Sequence, residues 1–147
     1  MAGVETERAH VLAARHGRDR TTVKAMIYAY YQAVNDSRWD DVVAFFHEDA
    51  VLLIPSQLPK VGHAEIRRFY VSVDRQFPTL HHDDVPLLMI EGNRVMTLVD
   101  MHGINADGVA TRLWTAGIFT LEAGRIRQYR VIFDTAQLDG PSPPGVE

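Results

Sequence analysis

The sequence predicts an α+β fold: three N-terminal helices packed in a curled antiparallel sheet, a cone-shaped α+β barrel around one apolar pocket. Before Phe77-Pro78 the apolar residues recur at helical spacing, and after it the pattern is that of strands to near the end of the chain. The strand runs are separated by Glu91-Gly-Asn, Asn105-Ala-Asp-Gly and Glu122-Ala-Gly, the chemistry of tight turns. A length of 147 residues suits one domain that buries a core without staples.

Residues 1–20 are polar and punctuated by Gly17, which reads as a flexible arm or loose helix. Thr21-Thr22 resembles an N-cap for a helix over 21–35, with Val23, Met26, Ile27, Tyr30 and Val34 on one face. Asp36-Ser37-Arg38 is a turn, and a second helix is expected over 39–46 with Val42, Val43, Phe45 and Phe46 inward. His47-Glu48-Asp49 then reads as a solvated helix end, and 50–54 as a short buried strand closed by Pro55. Residues 63–75 form a third helix through Ile66, Phe69, Tyr70 and Val73. Strands follow over 82–90, 94–104, 110–121 and 125–133, so the folded domain spans 21–138. The Pro- and Gly-rich stretch 139–147 reads as a disordered tail.

Composition narrows the function. The apolar fraction is 46%, the charged fraction 23% and the net charge −4, with basic residues scattered, so a nucleic-acid footprint is not expected. With no cysteine there is no disulfide, thiolate metal site or cysteine nucleophile. No apolar run approaches the ~18 residues of a membrane span and no signal-type segment follows Met1, so a cytoplasmic protein without membrane contact is expected.

The run Val95-Met-Thr-Leu-Val-Asp-Met-His-Gly-Ile104 carries the chemistry that draws attention first. On a strand, residues two apart share a face, so Asp100 and His102 stand together on an otherwise apolar element. If that face looks into a cavity, low polarity raises the Asp100 pKa and His102 tunes it, the pairing that proton transfer needs. In His81-His82-Asp83-Asp84, strand alternation lets only His82 with Asp84, or His81 with Asp83, act together. Two ligands fall short of a catalytic zinc set, so no metal is expected and His82 with Asp84 reads as a pocket-rim pair. Trp114 lines the cavity or covers an outer face. Of Tyr28, Tyr30 and Tyr31, spacing with Ile27 and Val34 turns Tyr30 or Tyr31 inward. Arg125, Arg127 and Arg130 read as exposed charge.

Several strings resemble the SnoaL-like, ketosteroid-isomerase-like superfamily with the nuclear transport factor two fold. They are the run from Tyr30 to Val51, Gly62-His-Ala-Glu-Ile-Arg-Arg-Phe-Tyr70, and Gly117-Ile-Phe-Thr-Leu-Glu-Ala-Gly-Arg-Ile126. The likeness covers about residues 21–138 and implies a homodimer through the outer sheet face. Carried over position by position, the general-base aspartate of ketosteroid isomerases falls at Ile54, their oxyanion-hole aspartate near Gly117 or Ile118, and their tyrosine at Tyr30. Of the limonene-epoxide-hydrolase set, the first aspartate matches Asp100; the arginine falls at Leu98, the second aspartate at Val131, and the water-holding pair at Leu52 and Ile54. SnoaL-type aldol cyclases place their aspartate at Gly117. Phenazine-biosynthesis relatives share Asp100-Met-His-Gly103, while their last acidic residue falls at Val131.

The resemblance therefore implies a hydrophobic pocket with Asp100, His102 and Tyr30 as its polar, catalytic set. Leu52, Ile54, Leu98, Trp114, Gly117, Val131, His82 and Asp84 would bind the substrate. The expected activity is that of a polyketide cyclase or isomerase of secondary metabolism and antibiotic biosynthesis, closing a ring in a hydrophobic intermediate by aldol-type or cycloaddition-type chemistry. No Gly-rich phosphate loop or metal set is present, so no cofactor is expected. The alternatives are an epoxide hydrolase or epoxide-opening cyclase, and a non-catalytic small-molecule-binding module.

Overall fold

The computed structural model describes residues 2–82 and 87–138, with side chains from residue 19 onward. Three helices lead: α1 (Ala2–Asn35), α2 (Trp39–Ala44) and α3 (Gly62–Gln76). The strands are β1 (Phe46–Leu53), β2 (Lys60–Val61), β3 (His81–His82), β4 (Leu87–Glu91), β5 (Arg94–Ile104), β6 (Ala110–Glu122) and β7 (Arg125–Ile132). A 3₁₀ turn over Thr135–Leu138 follows.

Helix α1 starts at Ala2, not at the Thr21-Thr22 cap. The first twenty residues are rich in Ala and Arg, good helix formers that carry the helix through Gly17. Helix α2 ends at Ala44, earlier than expected, because Phe46 enters the sheet opposite Ile126 and is fully buried there. His47, Glu48 and Asp49 are therefore strand residues, not a helix end. Helix α3 buries Ile66 and Tyr70, and its first turn is tied by the Val61 N–H donating to Glu65 Oε2 at 2.6 Å.

The strands run in the order β2-β1-β7-β6-β5-β3, with β4 also paired to β5. The sheet is mixed and unclosed, not an antiparallel barrel: β1 and β7 run parallel, which only elements distant in the chain achieve. The expected strand over 82–90 is two pieces, β3 and β4, both antiparallel to β5. The sheet curls its inner face onto α1 and α3, and the core forms there from Ile27, Leu52, Ile66, Val95, Val99, Phe119 and Ile126. Asp84 and the expected tail from residue 139 lie outside the described residues.

Candidate functional site in the curl of the sheet

Alternation along β5 decides which side chains meet the core. Val95, Thr97 and Val99 are buried inward, whereas Met96 and Leu98 are more than 40% exposed. Asp100 and His102 continue the second set and share the outer face with their cross-strand partners Trp114 and Arg112. The expectation that Asp100 and His102 look into the pocket is thus corrected. Leu98 and Trp114 stand on the same outer face, not in the cavity.

On that face the Arg112 guanidinium grips Asp100: Nε donates to both carboxylate oxygens at 3.1 Å and Nη2 to Oδ2 at 2.7 Å. These bonds hold the Asp100 carboxyl below the ordinary carboxylate range, where a pocket base would need it raised. His102 lies across from His81, their ring centroids 5.5 Å apart.

The inner face encloses a cavity of about 270 Å³ between β5–β7 and the helices. Its walls are aromatic, with Tyr30, Tyr31, Trp39, Phe69, Tyr70 and Tyr129 prominent, and Ile54 and Val131 add aliphatic surface. Tyr30 is 2% exposed and its hydroxyl bonds that of Tyr70; Trp39 stacks on the Tyr70 ring at 5.7 Å. The Tyr31 hydroxyl shares a hydrogen bond with Thr97 Oγ1 at 2.7 Å and approaches the Tyr129 hydroxyl at 3.4 Å. Tyr129 stacks flat on Phe119, centroids 3.9 Å apart. Burial pushes up the pKa of Tyr30, Tyr31, Tyr70 and Tyr129, so all four remain phenols near neutrality.

Leu52 is fully buried in the core on β1 but does not line the cavity. Gly117 faces inward, and its space is filled: a Cβ there would meet Thr97 Oγ1 at 2.7 Å and Tyr129 Cε2 at 2.8 Å. His82 lines the cavity, the inward neighbour of outward His81. Its Nδ1 lies 3.2 Å from Asn35 Oδ1, at the end of α1. Burial, then the neighbouring His81 and His102, lowers its pKa to about 4. Among the described residues no three His, Asp or Glu side chains converge as a metal set.

Sequence reasoning undervalued Tyr70 and missed Tyr129, Thr97 and Asn35. Tyr129 had a signal, since it stands at strand spacing from Val131 on an element otherwise marked by arginines. Asn35 had none, because its role depends on a strand that arrives 47 residues later.

Comparison with known proteins follows the same lines. The family model described as a SnoaL-like domain matches residues 27–129. An NTF2-like protein of unknown function from Burkholderia pseudomallei superposes with a TM-score of 0.74 at 20% identity, covering 80% of this chain and 94% of its own. A candidate polyketide cyclase from Xanthomonas campestris pv. campestris gives 0.74 at 22% identity over 81% and 98%. SalBIII, an epoxide hydrolase/cyclase-like enzyme with a role in pyran ring formation in the polyether salinomycin, gives 0.72 at 20% over 81% and 95%. No curated protein matches the chain significantly.

Proposed function

Since the chain belongs to the SnoaL-like family, we propose that it is a cofactor-independent cyclase or isomerase that forms a ring in a hydrophobic, polyketide-type intermediate. The observation that carries this reading is the cavity: an aromatic chamber of about 270 Å³ into which buried, un-ionised tyrosines converge. Aromatic walls hold a flexible apolar chain in a folded shape, and ring closure gains from that preorganisation because both reacting ends are already close. Phenol hydroxyls kept protonated can donate to a carbonyl oxygen as negative charge develops on it. The similarity in fold to proteins described as a candidate polyketide cyclase and as an epoxide hydrolase/cyclase-like enzyme supports the same class of chemistry. A second copy docked on the outer sheet face completes the proposal.

The test compares metabolites of the source organism with and without this gene by mass spectrometry. A less cyclised isomer, equal in mass to the missing product, is expected to accumulate. A species lighter by one water would instead assign epoxide hydrolysis, and an unchanged profile would leave a binding module. Complementation with Val131→Trp, which fills the cavity from its wall, is expected to restore folded protein but little product.

A further inference from the structure

Strand β3 is only two residues long and is pinned from two sides. On one side it pairs with β5 through His81↔His102 and His82↔Met101. On the other, the last residue of α1 clasps it: the His82 N–H donates to Asn35 Oδ1 at 2.8 Å, and Asn35 Nδ2 donates to the His82 carbonyl at 2.9 Å. A backbone N–H can only donate, so this clasp fixes which end of the Asn35 amide is oxygen. The same oxygen faces His82 Nδ1 at 3.2 Å, and since it can only accept, Nδ1 carries the hydrogen. The basic lone pair is then on Nε2. Among the described residues nothing bonds Nε2, and no sealed side-chain nitrogen or oxygen lacks a partner, so Nε2 is not sealed off, on a residue that lines the cavity.

We infer that His82 is the general base of this cavity, with Asn35 as its positioning residue, and that the ligand is an uncharged carbonyl compound with a removable α-hydrogen. The inference rests on the cyclase reading above and names its base and substrate class. Nε2 takes the α-hydrogen as a proton. The C–H electron pair becomes the enolate, whose oxyanion is met by tyrosine hydroxyls. The enolate carbon then attacks a second carbonyl of the same molecule, and the new alkoxide recovers the proton from the imidazolium. The product has the mass of the substrate.

Three observations favour this assignment. The cavity tyrosines are held as phenols, so they donate and do not act as bases. Among the described residues, apart from Asp74, whose carboxylate accepts the Ser37 hydroxyl at 3.0 Å, the lining carries no acidic, Lys or Arg side chain and so favours an uncharged ligand. Burial and the charges of His81 and His102 on the outer side, with the Tyr31 ring 5.5 Å away on the inner, keep the imidazole neutral down to about pH 4. A volume of 270 Å³ is roughly that of nine waters, which limits the enclosed part of the ligand to one or two rings.

The probe is 2-tetralone, an uncharged bicyclic ketone with acidic α-hydrogens. Its α-hydrogen exchange in D₂O is followed by proton NMR, and its binding by titration of intrinsic tryptophan fluorescence. His82→Gln is expected to slow protein-catalysed exchange at least 100-fold while binding changes less than threefold. Asn35→Ala is expected to slow it about tenfold. Nitrogen-15 NMR of the ligand-free full chain reads the tautomer directly: His82 should show a protonated Nδ1, and Asn35→Ala should lose that preference. The wild-type rate should fall only as pH drops through about 4. Bound 2-tetralone with unchanged exchange in His82→Gln, loss of exchange in Asp74→Asn instead, or a protonated Nε2 would overturn the base assignment while leaving the cavity reading intact. Failure of 2-tetralone to bind would count against the cavity reading itself, and the nitrogen spectrum would still decide the tautomer.

Discussion

Gly117 shows why a catalytic position of related proteins can be empty here. The aspartate of SnoaL-type aldol cyclases falls on this residue by resemblance, but Tyr129 and Thr97 occupy the volume that any side chain would need. Tyr129 cannot step aside, because its ring is stacked on Phe119. Gly117→Ala should therefore cost about 1–3 kcal/mol in urea unfolding through overpacking; a variant as stable as the parent would show that Tyr129 moves freely. The second residue-scale prediction concerns acid. His82 has a folded pKa of about 4 against about 6.5 unfolded. Between those values the unfolded chain binds the extra proton, so the contribution is complete above about pH 6.5 and is lost as pH falls toward 4. Asp100 also has a lowered pKa, but its contribution persists further, disappearing only below the ordinary carboxylate range. Urea melts at pH 7 and pH 4.5 should show the parent losing of order 2 kcal/mol more than His82→Gln. Equal losses in the two proteins would mean that His82 titrates normally.

At the scale of elements, the succession of most strands along the chain and the turns between them were legible because Gly-containing turns and β-branched runs are local signals. Strand β5 was expected over 94–104 and lies there, and β6 differs from its expected bounds by one residue. What could not be read was which face of β5 turns inward. Val95, Thr97 and Val99 alternate with Met96 and Leu98, so both faces are apolar and the period of two gives no contrast to choose between them. Asp100 and His102 were correctly placed on one face, but nothing local showed that it was the outer one. Likewise, the parallel pairing of β1 with β7 joins segments about 80 residues apart and leaves no trace in either. Of the expected site residues, Tyr30, Ile54, Val131 and His82 line the cavity, because helix α1 and the inward rows of the sheet converge there. The string Asp100-Met-His-Gly103 has a structural logic of its own in its glycine. A Cβ on Gly103 would lie 2.9 Å from Leu80 Cα and 3.0 Å from the Thr79 carbonyl oxygen, both backbone atoms that cannot swing away. Gly103→Ala should thus push residues 79–80 outward and carry β3 with them. The expected readout is a shifted His82 imidazole resonance and a weakened Asn35 clasp; an unchanged resonance would show that the loop adjusts without moving the strand.

For the whole molecule, the outer face of the sheet is the feature that a monomer explains least. Cross-strand register lines up Leu87, Leu98, Ala116 and Ile132 in one row and Met89, Met96 and Ile118 in the next, with Trp114 beside them. Leu87, Met89, Met96, Leu98, Trp114 and Ile132 are each 41–62% exposed, so the apolar side chains form a continuous patch. Patches of that kind mark an interface on a soluble protein, since covering them with a like surface removes apolar area from water on both partners at once. A two-fold contact needs only one self-complementary patch, the role we propose for this face, where Asp100 is already paired with Arg112. Light scattering after gel filtration should give twice the 16.6 kDa chain mass at micromolar concentration. Trp114→Glu and Leu98→Lys, each placing an unpaired charge in the patch, should return the monomer mass while leaving the cavity on the opposite face able to bind its ligand. A wild-type protein that runs as a monomer under these conditions would remove the second copy from the proposal, and the apolar rows would then call for a different partner.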